Sequence, residues 1–345
     1  MRKDDNKFSR PLFSHSGEFL SDYLPLRLGR SVNTISSYRN CLRLLRDYIE
    51  ACTHRNFYRF PFSEATREFI LGFLTWIESR GCCRATRNQR LACLKTYAKF
   101  VMDQDFEMAA WGASILSIPM ATAKKPLVGW LREEVLESIL RQPGSSVRGI
   151  RDRALMVVMY ETGARVSEMV GLRLRDLNIF PSGSSVRLHG KGGKTREVPL
   201  GEKAVGLLGN HLRTSFPDVG GNVEDYVFST VIHGKKCMMS IGNVERLVSR
   251  YASKARKSNP LVPERVTPHM FRHTRATHLL RAKMPLPLIG RFLGHVDLET
   301  TNIYASCDVE MLREAIGAVE LNTPDMIEEP VWIGNKEMIS RLCGL

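Results

Sequence analysis

Apolar side chains in roughly the first 120 residues recur at helical spacing, and no alternation typical of a strand interrupts them. Three helices are predicted there, beginning near Ser31 or Asn33, near Ser63, and near Arg84. The serines and the asparagine are suitable N-cap residues, and Gly81 can end the second helix in a left-handed conformation. The sequence therefore predicts an all-helical N-terminal block.

A stretch from Ser117 to Pro126 separates this block from the rest of the chain. It holds two prolines, small residues and a lysine pair, which disfavour both helix and strand. We therefore expect four segments. They are a helical domain at residues 1–122, a linker at 123–127, a mixed domain at 128–320 and a tail at 321–345.

The mixed domain contains two short strand patterns, Val186–His189 and Glu197–Leu200, joined by a glycine-rich turn. A third strand is expected at Tyr226–Ser229, and helical patterns precede and follow these strands. The predicted fold class is mainly α, with a small antiparallel β-sheet in the second domain.

The charge balance points to a polyanionic partner. Lys and Arg total 50 against 36 Asp and Glu, and the excess lies in residues 1–125 and 126–305, whereas residues 306–345 are acidic. Nucleic acid or an anionic membrane surface would fit. The membrane is disfavoured because the longest uncharged stretch, Met108–Ala123, is too short to span a bilayer and is broken by glycine and proline.

The eight cysteines are scattered, with no C-x-x-C pair and no zinc-like spacing to histidine. Such cysteines are typical of a reducing compartment, and no signal-peptide pattern follows Met1. We expect a cytoplasmic protein without a structural metal site.

Two arginines are candidates for binding one phosphodiester. Arg165 follows Gly163 at a sharp turn, while His269 and Arg272 are three residues apart and lie on one side of a helix. Two guanidinium groups could stabilise the charge that develops on a phosphate during its transfer. Glu168, three residues further on, could orient the Arg165 side chain without contacting the phosphate itself. The alternative for Arg165 alone is an ordinary surface arginine.

Tyr304 is a candidate nucleophile, although its phenol would need a base to react near neutral pH. Taken alone, it is better interpreted as an amphipathic core residue. Lys191 and Lys194 flank the glycines of the predicted hairpin, where a projecting lysine could donate a proton or contact phosphate. We expect His273 at the surface and His278 in the core.

Five segments in a fixed order carry a specific resemblance. They are Thr162–Glu168, Gly190–Lys194, His269–Arg272, Leu293–His295 and Thr300–Tyr304. Together they resemble the tyrosine recombinase (phage integrase) family, most closely its Xer-type members. The resemblance covers residues 126–305 and extends loosely to the first block, which looks like the family's core-binding domain.

The resemblance implies an enzyme that cuts and rejoins DNA strands through a 3′-phosphotyrosyl intermediate, with no cofactor and no metal. Tyr304 would be the nucleophile, and Lys191 would protonate the leaving 5′ oxygen. His269 would accept the phenolic proton, and His295 would bind a phosphate oxygen. The implied catalytic set is Arg165, Lys191, His269, Arg272, His295 and Tyr304.

The implied partner is a double-stranded DNA recombination site, bound by one dimer per site and by a tetramer in the synapse, with or without accessory proteins. We predict that the following basic residues contact the DNA, the first three from the exposed face of one helix: Arg87, Arg90, Lys95, Lys124, Lys125, Lys194 and Arg275. The acidic tail would dock on a neighbouring subunit or fold back on its own domain. Integration, excision, inversion and resolution stay open.

Two alternatives to a recombinase remain. A type IB topoisomerase uses similar chemistry without exchanging partners, and a non-catalytic DNA-binding regulator could retain the same fold. The helical first block and the complete set of catalytic-type residues disfavour both.

Overall fold

The computed structural model describes residues 10–123, 129–180, 183–216, 222–294 and 336–342. The chain divides into two compact units, Met1–Pro126 and Leu127–Leu345. The tail boundary at residues 320 and 321 falls outside the described residues and stays a prediction.

The first unit is helical throughout its described part, as the apolar spacing predicts. A short turn of helix, α1 (Ser16–Glu18), continues as a π-helix (Phe19–Arg27). The remaining helices are α2 (Val32–Thr53), α3 (Arg67–Ser79), α4 (Arg84–Gln104) and α5 (Ala109–Leu116). No strand forms within residues 10–123.

Capping side chains set the starts of α2 and α3. Ser31 Oγ accepts a hydrogen bond from the backbone N–H of Thr34, which confirms one of the two predicted caps. The N-cap residue predicted for α3, Ser63, was wrong. Thr66, and not Ser63, caps this helix, because residues 62–65 form a turn that buries Phe62 and Ala65 before the helix can begin. Gly81 has a φ of +89°, as expected for a residue that follows a helix end.

The largest buried side chains in the core of the first unit are aromatic. The hydroxyl of the buried Tyr97 donates a 2.6 Å hydrogen bond to the carbonyl of Leu12, so its one polar atom is satisfied. Its ring meets that of Phe19 edge to face, with centroids 5.1 Å apart. Leu91 and Leu94 on the same helix are also buried, as predicted.

In its described part, the second unit is mainly helical with two small antiparallel sheets. Its helices are α6 (Glu133–Leu140), α7 (Val147–Thr162), α8 (Val166–Val170), α9 (Glu202–Ser215), α10 (Ile241–Arg256), α11 (Pro268–Arg281) and α12 (Leu286–Leu293). Its strands are β1 (Leu177–Phe180), β2 (Gly183–His189), β3 (Thr195–Leu200), β4 (Ser229–Ile232) and β5 (Lys235–Met238). A further helix spans Lys336–Leu342.

The first sheet has the order β1-β2-β3, and its central strand pairs Val186 with Val198 and His189 with Thr195. The hairpin between β2 and β3 was predicted, whereas β1 and α9 were not. The expected strand at Tyr226–Ser229 was wrong: Tyr226 makes an isolated bridge to Arg173, and β4 begins only at Ser229 to pair with β5. The predicted fold class, mainly α with a small antiparallel sheet, is confirmed.

One apolar core joins helices α6 to α11 with the larger sheet, while the buried apolar residues of α12 form a second cluster with Ala276 of α11. Leu155 and Met159 of α7, Val186 of β2 and Phe271 of α11 belong to the large core and are fully buried. Because α7 passes through this core, its C-terminal end is held firmly, and that end leads directly to Arg165. Within the described helices, none is long and apolar enough to cross a membrane.

Candidate active site

Arg165 lies in the bend between α7 and α8. Gly163 ends α7 with a φ of +56°, a conformation that residues with a side chain rarely adopt. A Cβ atom at this position would stand 2.8 Å from Leu293 Cδ2, so α12 can approach only a glycine this closely. The bend places Arg165 at the N-cap position of α8.

Glu168 binds Arg165 twice, as its spacing suggests. Glu168 Oε1 accepts a 2.8 Å hydrogen bond from Arg165 Nη1, and Oε2 accepts a 2.9 Å bond from the Arg165 backbone N–H. The Glu168 side chain is only 2% exposed. Burial by itself would raise the pKa of this carboxyl, but hydrogen bonds and positive charge from Arg196 and Arg165 outweigh it and hold the pKa below its usual value.

Arg272 is buried, with 3% of its surface exposed. Its Nη1 donates a 2.7 Å hydrogen bond to the Gly163 carbonyl, and its Nη2 donates a 2.7 Å bond to the Leu293 carbonyl. Arg165 Nη2 lies 3.5 Å from the next carbonyl, that of Gly294. The two predicted arginines therefore converge on consecutive carbonyl groups at the end of α12.

Arg196 is a third arginine at the end of α12, and it is not among the residues predicted from the sequence. Its Nε donates a 2.9 Å hydrogen bond to the Phe292 carbonyl, and its two terminal nitrogens bind Glu168 at 3.0 and 2.8 Å. A signal was available: Arg196 has the same parity on β3 as Val198 and Leu200, both buried. An alternating strand places such an arginine on its core-facing side.

The turn between β2 and β3 is a tight one. The Gly190 N–H donates a 2.7 Å hydrogen bond to the Lys194 carbonyl, and Gly192 and Gly193 have φ values of +77° and +73°. Lys194 is exposed. The side chain of Lys191 lies outside what the structure describes.

His269 stands at the start of α11, immediately after Pro268. Although its side chain reaches the surface, desolvation and the nearby guanidinium groups of Arg272 and Arg165 lower its pKa below the ordinary histidine value. The ring is therefore neutral near pH 7. A neutral imidazole beside two fixed cations can accept a proton from a substrate or from another side chain.

His273 and His278 lie on the same helix as His269, α11. His273 was expected at the surface, but it is half-buried one turn after His269, with ring centroids 5.7 Å apart. Burial, with the neighbouring His269 and Arg272, lowers its pKa to about 4. His278, predicted as a hydrogen-bonded core residue, bonds with the Tyr160 hydroxyl and the Leu131 carbonyl, but it is half-buried and not fully in the core.

The sequence predicted that Arg87, Arg90 and Lys95 form an exposed basic face of α4, and this predicted exposure was wrong. The Arg87 side chain is 12% exposed and lies 3.7 Å from Glu78, while Arg90 donates a hydrogen bond to the Ser37 carbonyl. Lys95 is half-buried. Contacts with Ser37 of α2 and Glu78 of α3 therefore cover part of this face.

Arg275, predicted to reach a DNA phosphate, bonds instead to Glu161 at 3.2 Å and lies over the Tyr160 ring. That contact with DNA stays a prediction. Four predicted residues lie outside the described residues: Lys124, Lys125, His295 and Tyr304. His295 directly follows Gly294, whose carbonyl Arg165 approaches.

Metal ligands are not grouped in the described parts of the chain, where no cluster of three or more His, Cys, Asp or Glu residues could hold an ion. The positive charge of this site comes from its arginines.

Comparison with known proteins agrees with this architecture. Residues 129–311 match the phage integrase family, and residues 18–105 match the phage integrase N-terminal SAM-like domain. The chain is 32% identical to tyrosine recombinase XerD of Pseudomonas aeruginosa over 285 residues, which cover 82% of this chain and 89% of that protein. It is 28% identical to the XerD of a Staphylococcus epidermidis strain over 300 residues, 86% and 95% of the two chains.

Solved structures show the same fold. The post-cleavage complex of XerH recombinase with palindromic difH substrate superposes with a TM-score of 0.65 at 21% identity, covering 84% of this chain and 80% of that one. The Tn1549 transposon integrase in complex with transposon right end DNA gives 0.67 at 17% identity, covering 88% and 98%.

The fold of this chain, a helical unit followed by a mixed unit, is thus shared with these solved structures. The chain belongs to the phage integrase family of tyrosine recombinases, whose members cleave and rejoin DNA strands in site-specific recombination.

Proposed function

We propose that this chain carries out recombination through the six residues that its motifs supply. The observation that carries the proposal is the convergence of Arg165 and Arg272 on the carbonyls of Gly294 and Leu293, immediately before His295. Two arginines fixed side by side at one helix end can bind the non-bridging oxygens of one phosphodiester and stabilise the charge that develops there.

The proposed reaction begins at Tyr304. Its phenolic oxygen attacks the phosphorus and forms a tyrosine–phosphate ester, while the bond from phosphorus to the 5′ oxygen breaks. The phenolic proton passes to His269, directly or through water, and the leaving 5′ oxygen receives a proton from Lys191. A 5′ hydroxyl of the partner strand then reverses these steps, so no external energy source is required.

The lowered pKa of His269 supports its role as the proton acceptor, because a cationic imidazole could not take up the proton. Lys191 is supported by its place beside two glycines with positive φ, in a turn that closes at the Gly190–Lys194 hydrogen bond. The contact between Glu168 and Arg165 supports the positioning role expected of Glu168.

The proposed partner is a double-stranded DNA recombination site. The net charge of +14 and the exposed Lys194 support it, as do relatives whose structures contain a difH substrate or transposon end DNA. We propose one dimer per site and a tetramer in the synapse, and a cytoplasmic location, for which the free cysteines of the described residues are a support.

A nicked DNA substrate tests the proposal, because it traps the covalent intermediate once the short cleaved fragment diffuses away. We expect the wild-type chain to form an adduct that resists SDS and Tyr304→Phe to form none while binding DNA normally. An adduct with Tyr304→Phe would exclude Tyr304 as the nucleophile. No adduct with the wild-type chain would favour the non-catalytic regulator, and plasmid relaxation without strand exchange would favour the topoisomerase.

For the tail we propose docking on a neighbouring subunit. Its support is the acidic balance of residues 306–345, which suits a basic protomer better than DNA. Deleting residues 325–345 should leave binding to a single site intact and weaken cooperative assembly. An insoluble truncated protein would favour folding back on the same domain instead.

A further inference from the structure

We propose that Arg196 is a positioning residue for strand cleavage, acting on Arg165 through Glu168 and on the segment leading to His295 through Phe292. The proposal rests on the proposed function. Arg196 is not one of the six motif residues, and it lies on β3, the strand that follows the turn holding Lys191.

Arg196 and Glu168 form a bidentate ion pair. Two parallel hydrogen bonds of 3.0 and 2.8 Å join the guanidinium to both carboxylate oxygens. This bidentate geometry fixes the plane of the carboxylate, which a single contact would leave free to rotate. The pair is almost dry, with the side chains 12% and 2% exposed, so water competes weakly for either partner.

Arg165 shares the Glu168 carboxylate with Arg196. Arg196 takes one acceptor position on each oxygen of Glu168, and the Arg165 backbone N–H takes the second position on Oε2, so the carboxylate cannot offer the Arg165 guanidinium a complete fork. Arg165 meets Oε1 with Nη1 alone, at 2.8 Å. Among the described residues its Nη2 has only the long 3.5 Å contact to the Gly294 carbonyl, which an arriving phosphate oxygen could replace. Arg196 thereby decides which nitrogen of Arg165 points toward the substrate.

Arg196 also contacts the C-terminal end of α12. Three consecutive carbonyls, those of Phe292, Leu293 and Gly294, face Arg196, Arg272 and Arg165 in that order. A helix C-terminus presents unpaired carbonyls with partial negative charge, which cations stabilise. The first of these three contacts does not involve a motif arginine, so Arg196 helps to fix where the chain emerges toward His295.

Gly294 shows how closely Arg196 packs here. Its φ is +65°, and a Cβ atom on it would lie 3.1 Å from Arg196 Nη1 and 3.2 Å from Cδ. The α12 end and the Arg196 side chain therefore have little room to move independently. Glu168, Arg165 and the α12 end are all held by one guanidinium on β3.

The test compares Arg196→Gln with Arg187→Gln, a matched control that removes an exposed arginine from the neighbouring strand β2. Site affinity and the single-turnover cleavage rate of a nicked substrate are measured separately for each variant. We expect Arg196→Gln to cleave about 10- to 100-fold more slowly, because a misplaced catalytic group costs that much, while its affinity changes by less than about twofold. The control should match the wild type in both.

A second comparison asks whether Arg196 acts through Glu168. The double variant with Glu168→Gln should lose clearly less than the product of the two single losses, because the route through Glu168 is already broken and only the contact with Phe292 remains to be lost. Multiplicative losses would overturn the proposal, as would wild-type cleavage by Arg196→Gln or equal losses of affinity and rate. If Arg196→Gln does not fold, Arg196→Lys is used, since it keeps the charge without the fork. Failure of both to fold would assign Arg196 a structural role only. Adduct formation by the wild-type chain separately tests the proposed function.

Discussion

Arg272 Nη1 donates a 2.7 Å hydrogen bond to the carbonyl oxygen of Gly163. The bond joins the N-terminal half of α11 to the glycine that ends α7, and it lies in the buried interior, where a hydrogen bond from a charged donor is strong. Through it, the arginine that would bind the substrate also fixes the bend that presents Arg165. Stability and the geometry of the site therefore depend on the same few atoms.

Gly163→Ala should destabilise the second unit. The positive φ costs an alanine about 1–2 kcal/mol. The new methyl group would also stand 2.8 Å from Leu293 Cδ2, which adds overpacking. Thermal denaturation of the full chain measures the effect. Gly206→Ala is the control, because this exposed glycine of α9 has open space around it and its replacement should be neutral or slightly stabilising. Equal melting temperatures for the two variants would contradict this account of the bend.

Strand cleavage should persist at mildly acidic pH. His269 must be neutral to accept a proton, and its pKa lies below the ordinary value of about 6.5. The rate should therefore stay level as the pH falls through about 6.5 and decline only below the lowered pKa. Single-turnover rates of adduct formation against pH measure this.

The variant His269→Gln should lose this acidic limb, together with much of the rate. His273→Gln should retain the limb, because His273 is not the proposed proton acceptor and its own pKa is lowered to about 4. An acidic limb centred at or above pH 6.5, or one that survives in His269→Gln, would exclude His269 as the base.

Cleavage should be insensitive to excess EDTA. The family resemblance implies chemistry without a divalent ion, and Arg165 and Arg272 supply positive charge where a metal would otherwise be needed. Adduct yields on a nicked substrate, with and without EDTA, give the measurement. A yield that EDTA abolishes and magnesium restores would show that the arginines are insufficient.

DNA affinity should fall steeply with salt, because each neutralised phosphate releases counterions. Lys194→Gln should lower the slope of log affinity against log salt by about one contact, without changing the sequence preference. We also expect residues 126–345 alone to bind the site more weakly than the full chain. Equal affinity for the two would argue against DNA contacts from the first unit.

Local sequence rules anticipated much of the fold. Helical spacing predicted α2, α3 and α4, and alternation predicted the β2–β3 hairpin. The errors arose where tertiary packing decides. Ser63 is as good a cap as Thr66 in isolation, and only the burial of neighbouring side chains excludes it. The Arg87 side chain is only 12% exposed because it lies 3.7 Å from Glu78 of α3, a tertiary contact that the charge pattern of α4 alone does not reveal.

The candidate site was predicted unevenly for a similar reason. Motif residues such as Arg165 and Arg272 can be identified from type and spacing along the chain. Arg196 acts through partners 28 and 96 positions away, Glu168 and Phe292, and such partnerships emerge only when the chain is folded. Its parity on β3 was the only local sign of burial.

The turn between β2 and β3 also has a consequence for amide hydrogen exchange. Val186 and Leu188 are buried in the centre of the sheet, so their backbone amides should exchange slowly. Gly192 and Gly193 have open space around their Cα atoms within the described parts of the chain, and amides at this exposed turn should exchange quickly. A DNA duplex that receives Lys191 would cover the turn. Protection on DNA binding should therefore appear at residues 191–193 while the slow amides of β2 remain unchanged.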